Sequence, residues 1–189
     1  MSGIEAFSPK GMLHEGWSAQ VDDYAIVCGW ALQGKTFLVG DVAGGLYAFE
    51  GKSGKLIWQS KDIHKGGLLA MSIHPDGNTF ATAGQDGHVC IWESKEGNST
   101  KNLELGKGWV EHIKWSPDGK FLAVVFTKYV YVFDENGQEH WRSEEHPSTV
   151  SAIAWSNSNE LATACYGQVT FIDVVSDKIN QKLEWRGSL

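Results

Sequence analysis

No stretch of this chain holds the run of about eighteen apolar residues that a membrane-crossing helix needs. Residues 1–20 (MSGIEAFSPKGMLHEGWSAQ) lack both the basic start and the apolar stretch of a secretory signal, so a cytoplasmic protein is expected. An excess of basic residues is also missing. Sixteen Lys and Arg stand against 23 Asp and Glu, a net charge of −7, which speaks against a nucleic-acid-binding surface. Cysteine is scarce. Cys28, Cys90 and Cys165 lie far apart, each in an apolar strand-like run, and are expected to be reduced core thiols rather than disulfides or metal ligands.

The short motifs of chemistry are equally thin. There is no Gly-x-Ser-x-Gly nucleophile elbow. Gly51-Lys52-Ser53 has the tail of a phosphate loop, but Leu46 stands where its first Gly should be and no helix follows, so it reads as a turn. Seven histidines are present without the spacing of a helical or hairpin metal site, and His14, His140 and His146 read as surface residues. Asp22-Asp23 and Glu144-Glu145 read as solvated loop charges, and Asn98-Ser99-Thr100 as a loop. No catalytic residue, metal or cofactor is expected.

What the chain does have is aromatic mass and a repeat. Hydrophobic residues make up 42% and nine are tryptophan, which suits layers of sheet packed face to face. Four strand-like runs, Leu46–Phe49, Val89–Trp92, Val130–Phe133 and Val169–Ile172, each end on a large apolar residue and recur at a period of about forty residues. Around each stands the same pattern of four short strands bounded by turn residues, which is an all-β signature.

The modules run over about 21–61, 62–105, 106–145 and 146–184, after an N-terminal segment 1–20. Trp185–Leu189 reads as the start of a fifth. In module 1, Tyr24–Trp30 is apolar on both faces and is expected to be buried on both sides. Module 2 is the clearest: Leu68–Ile73, a turn at His74-Pro75-Asp76-Gly77, Thr79–Ala83, a turn at Gln85-Asp86-Gly87, then His88–Trp92. Module 3 repeats the first turn as Ser116-Pro117-Asp118-Gly119, and module 4 replaces it with Ser156-Asn157-Ser158-Asn159. Fourth strands are expected around Leu56–Trp58, Leu103–Leu105, His140–Arg142 and Ile179–Leu183.

These features resemble the WD-repeat β-propellers, chiefly through His64, the Pro-Asp-Gly turns and the run Ala83-Gly84-Gln85-Asp86-Gly87-His88-Val89-Cys90-Ile91-Trp92-Glu93. The resemblance covers roughly residues 20–185 and implies four-stranded blades packed radially about a channel. The Trp-Asp pair that names the family never occurs; its place is taken by Phe49-Glu50, Trp92-Glu93, Phe133-Asp134 and Ile172-Asp173. The resemblance further implies a buried hydrogen-bond chain of His64, Thr82, Asp86 and Trp92 in module 2, acting as a structural staple inside the sheet rather than as a nucleophilic triad. Module 4 keeps His146 and Thr163 but has Ile172 in place of Trp. Modules 1 and 3 lack the His, with Val21 and Gly106 at its place.

A rival resemblance rests on Gly44–Trp58, which is similar to a repeat of quinoprotein-type propellers and implies a small-molecule site at the channel mouth. Only module 1 shows it. The first resemblance implies a non-catalytic scaffold for other proteins, gripping them with Tyr24, Lys65, Gln85, Trp109, Lys128 and Tyr166 on one rim; for Trp109, packing between blades is an equal alternative. Four blades leave an apolar sheet face at each end. Closure by a homodimer, blades from a second or longer chain, a rare four-bladed ring and array formation all remain open readings.

Overall fold

The computed structural model describes residues 16–186. Its sixteen strands run β1 Ala25–Ala31, β2 Thr36–Asp41, β3 Leu46–Glu50, β4 Leu56–Ser60, β5 Leu68–Ile73, β6 Thr79–Gly84, β7 His88–Glu93, β8 Ser99–Glu104, β9 His112–Trp115, β10 Phe121–Phe126, β11 Tyr129–Asp134, β12 Glu139–Arg142, β13 Val150–Trp155, β14 Glu160–Cys165, β15 Gln168–Asp173 and β16 Lys178–Glu184. They form four antiparallel sheets of four strands, each strand paired with its sequence neighbour. The sheets are the blades of a β-propeller fold. The first strands β1, β5, β9 and β13 lie side by side in chain order and form the inner wall.

Strand alternation sends one set of side chains towards the preceding blade and the other towards the following one. Three apolar seams result. Leu38, Leu46 and Ala48 of blade 1 meet Leu68, Phe80 and Trp92 of blade 2. Ala81, Ala83, Val89 and Ile91 meet Ile113, Trp115, Leu122 and Phe133 of blade 3. Ala123, Val125, Val130 and Val132 meet Val150 and Leu161 of blade 4. The first seam is tight enough that a Cβ at Gly40 would collide with the side chains of Leu68 and Val27. Trp92 and Phe133, the large residues at the ends of the third strands of blades 2 and 3, fill the gap to the blade before, while Phe49 packs on the outer face of blade 1.

The two ends of the array differ. On the outer face of blade 1, Val39, Tyr47 and Phe49 form a fourth cluster with Phe37, and Trp17 and Val21 fold back onto it. The Trp17 ring lies 6.1 Å from Phe37 and 6.0 Å from Phe49, and its indole N–H donates to the Gly51 carbonyl at 2.9 Å. Part of the N-terminal segment is thus a lid on the first blade. Blade 4 has no such cover among the described residues. Every residue of β16 is exposed, with Leu183 at 47%.

Several expectations need correction. Strand β1 is not buried on both sides: Ile26, Cys28 and Trp30 lie exposed on the side facing away from blade 2, where no further sheet stands among the described residues. Cys28 is accordingly no core thiol, whereas Cys90 and Cys165 are buried, and all three are free. Ser99 and Thr100 are not loop residues but open β8, which begins four positions before the expected Leu103. His146 is buried rather than on the surface, while His140 is exposed as expected and stacks on Phe121 at 4.6 Å. His14 lies outside the described residues.

Candidate interaction surface

The turn Gln85-Asp86-Gly87 joins β6 to β7, and Gly87 takes φ +77°, a left-handed conformation that glycine adopts without strain. This places the Asp86 carboxylate beneath the loop that enters blade 2. One oxygen accepts from His64 Nδ1–H at 3.0 Å and from the His88 N–H at 3.1 Å; the other accepts from the Lys65 N–H at 2.9 Å. Behind it, His64 Nε2 lies 2.9 Å from the Thr82 hydroxyl, which accepts from the Trp92 indole N–H at 2.8 Å. His64 and Thr82 are fully buried.

Burial pushes the His64 imidazole below its ordinary pKa, against the pull of Asp86, so the ring is neutral. Burial would push Asp86 up, but the hydrogen bonds from His64, Lys65 and His88 outweigh it and hold the carboxyl low. A neutral ring that donates through Nδ1 accepts through Nε2. The proton order therefore runs from indole to hydroxyl, hydroxyl to imidazole and imidazole to carboxylate. Every member points into the seam between blades 1 and 2 or at the loop above it, and the chain ends in backbone amides.

Blade 4 holds a related but different set. His146 Nε2 lies 2.9 Å from the Thr163 hydroxyl, but Nδ1 reaches across to the Lys128 carbonyl of blade 3 at 3.0 Å. The His146 backbone N–H bonds to the same carbonyl. Blade 1 substitutes another device that the sequence reading missed. Buried Asp41 accepts from the Tyr47 hydroxyl at 2.9 Å and from the Gly45 N–H at 2.7 Å, and burial with the adjacent carboxylate pushes the Tyr47 phenol up to about 12. Its signal was an Asp at the end of a strand facing a Tyr across the turn.

These bonds tie down one end of the sheets. In blades 1 and 2 the loop before the first strand meets the turn between the second and third, Val42 N–H bonding to Tyr24 O and Gln85 N–H to Gly67 O. The entries to blades 3 and 4 bond instead to the blade before, Val110 N–H to Gly84 O and Val150 N–H to Thr127 O. Tyr24, Lys65, Gln85, Trp109, Lys128 and Tyr166 all stand on these loops, so the fold gathers them at one end. Three of them are prominently exposed aromatics: Tyr24 at 77%, Tyr166 at 65% and Trp109 at 54%. Exposure at that level places Trp109 outside the interblade packing. Lys65 is exposed, Gln85 half-buried, and Lys128 pairs with Glu145 at 3.0 Å. The rings do not stack on one another; they are spread over blades 1, 3 and 4.

A shallow trough runs along the inner wall, lined by Val27, Met71, Ser72, Ile113 and Ile153, with Glu111 and His112 at its edge. Among the described residues no group of three or more His, Cys, Asp or Glu is placed to hold a metal ion, and no helix is long and apolar enough to cross a membrane.

Residues 58–93 match the family described as "WD domain, G-beta repeat", a stretch that spans most of module 2. The chain is 37% identical over 115 residues to WD repeat-containing protein 1 of Gallus gallus, covering 57% of this chain and 19% of that protein. It is 38% identical over 118 residues to a p21-activated protein kinase-interacting protein 1-like protein of Gallus gallus, covering 57% and 31%. With Protein HIR1 of Chaetomium globosum it shares 29% identity over 126 residues, covering 50% and 12%. The matches thus span less than a third of these relatives' length. A chain in the crystal structure of a mitotic checkpoint complex superposes with a TM-score of 0.77 at 18% identity, over 88% of this chain and 52% of that one, a likeness of fold. Repeat, sheets and likenesses agree: the chain has a β-propeller fold, carries a WD repeat over residues 58–93 and is similar to WD-repeat proteins.

Proposed function

We propose that the chain is a non-catalytic scaffold that binds other proteins in the cytoplasm through the rim carrying Tyr24, Trp109 and Tyr166. The observation that carries this reading is the exposure of three large aromatic rings on one end of the sheets, on loops held by buried hydrogen bonds. Rigid aromatics lose little freedom when an interface covers them, and such residues are enriched among those that dominate binding energy. Lys65 and Gln85 add polar contacts from the loop pair that Asp86 pins. The net charge of −7 favours a partner with a basic or mixed surface, mainly through the rate of encounter. WD-repeat relatives and a structural neighbour from a protein complex support the general role.

The test is a variant carrying Tyr24→Ser, Trp109→Ser and Tyr166→Ser. Partners captured by the wild-type chain from extract of its own cells should be lost by a variant that melts at the same temperature. Recovery of the same partners by the variant would overturn the rim assignment.

A further inference from the structure

A groove of about 430 Å³ opens between the outer strands of blades 3 and 4. Its walls include Trp141 and Ser143 from blade 3, His146 from the connecting loop, and Thr170, Ile172 and Ile179 from blade 4. A volume of that order is within the range of sites for small ligands and single side chains.

The equivalent place in the seam between blades 1 and 2 is filled by this chain's own rings. There Trp58 stacks on Phe80 at 6.2 Å, and Phe80 on Trp92 at 6.2 Å, with the Trp92 indole reaching the Thr82 hydroxyl. Strand pairing matches the positions one by one. Phe80 pairs with Trp92 in blade 2 as Leu161 pairs with Ile172 in blade 4, and Thr82 pairs with Cys90 as Thr163 pairs with Thr170. Trp141 keeps the part of Trp58. The other two rings are replaced by Leu161, which is fully buried and outside the groove's lining, and by Ile172, which lines it, so the groove adjoins the place of the Trp92 ring.

The hydrogen-bond partner of that missing indole is still present. His146 donates through Nδ1 to the Lys128 carbonyl, which can only accept, so its Nε2 must accept from the Thr163 O–H. The Thr163 oxygen is then left to accept, as the Thr82 oxygen does from Trp92, and no donor reaches it among the described residues. Thr163 is 1% exposed and adjoins the groove through His146 and Thr170.

We propose that this groove is a binding site for a tryptophan side chain of a partner peptide, seated in blade 4 where Trp92 sits in blade 2. The site is separate from the rim at the ends of the sheets. Thr163 offers an acceptor to the ring N–H, while Trp141, Ile172 and Ile179 supply apolar walls beside the polar Ser143, Gln168, Thr170 and Asp177. Arg142 and Lys182 line it together with Glu144, Glu145 and Asp177, so the peptide flanks need carry no strong charge of one sign.

The probe is N-acetyl-5-fluorotryptophanamide, followed by fluorine NMR during titration with the full chain. A saturable shift is expected, and Ile172→Trp, which supplies the ring from within, should weaken binding at least about tenfold. Should Ile172→Trp fail to fold, Ile179→Glu is read instead; Ile179 is 59% exposed, so the fold tolerates the change while the groove wall becomes charged. N-acetylphenylalaninamide, which lacks the ring N–H, should bind more weakly than the indole probe. Unaltered binding to a folded Ile172→Trp or Ile179→Glu chain, or no saturable binding to the wild type, would overturn the assignment.

Discussion

The Trp92 indole donates its N–H to the Thr82 hydroxyl at 2.8 Å, joining the large residue at the end of a third strand to the middle of the second. That bond begins a relay that ends at the Lys65 and His88 amides, so a side chain in the seam of the fold fixes the loop that carries a rim residue. Removal of His64 would leave the Thr82 O–H without its acceptor and strip an Asp86 oxygen of one of its two donors. We expect His64→Ala to destabilise the chain by about 1–3 kcal/mol, the cost of stranding buried polar groups. Denaturant unfolding measures this, and an unchanged midpoint would show that the relay contributes nothing.

The same relay makes stability depend on pH. Burial lowers the pKa of both His64 and His146, so the unfolded chain takes up protons at a higher pH than the folded one. Stability should be level above pH 7 and fall as the pH drops below the ordinary histidine value of about 6.5, flattening once the folded rings protonate. The depressed Asp86 carboxyl adds a further loss only at lower pH, as it protonates. Melting temperatures from pH 7.5 down to 5 test this. Replacing both histidines by Gln should flatten the upper part of the slope, and a slope unaltered by the double variant would assign it elsewhere.

Trp17 covers Phe37 and Phe49 on the outer face of blade 1. Trp17→Ala should cost about 1–3 kcal/mol, less than a fully buried ring because Trp17 is half-exposed. It should also raise the binding of a hydrophobic dye to the folded chain. A variant with wild-type stability and dye binding would show that the lid does not hold in solution.

Thiol reactivity separates the three cysteines. Cys28 is exposed, whereas Cys90 and Cys165 are buried and burial pushes the Cys90 thiol up to about 11. A disulfide reagent should modify one thiol per native chain quickly and the other two only on unfolding. Three equally fast thiols would contradict the packing of blades 2 and 4.

The outer face of blade 4 presents Ala162, Ala164, Val169, Phe171 and Leu183, positions matching those by which blade 2 packs on blade 3. Light scattering should therefore show a mass that rises from 20.8 kDa with concentration. Phe171→Lys with Leu183→Lys should suppress the rise. Association that survives both substitutions would have to use another surface.

The repeat, the strand order and the membership of His64, Thr82, Asp86 and Trp92 in one network were legible in the sequence, because each depends on local turn chemistry and on a fixed period. What escaped was set by neighbours distant in the chain. The run Tyr24–Trp30 is apolar enough for a buried strand, but whether a second sheet covers it is not written in the run itself. His146 read as a surface residue because its partner, the Lys128 carbonyl, is backbone and leaves no mark in the sequence. The lid function of Trp17 was hidden for a similar reason: its contacts are a ring pair and a carbonyl twenty or more residues away. The rim aromatics could be named from their loops, but the level of exposure that frees Trp109 from interblade packing needed the assembled blades.

The lid on blade 1 gives the row of blades a polarity. A sheet arriving at blade 4 finds alanines and aliphatic side chains ready to receive it, while one arriving at blade 1 must first displace Trp17 from an aromatic shelf. Accretion is therefore vectorial, favoured at one flank and gated at the other: joining two copies head to tail would require the one that offers blade 1 to surrender its indole, and closing the pair into a ring would require it of both.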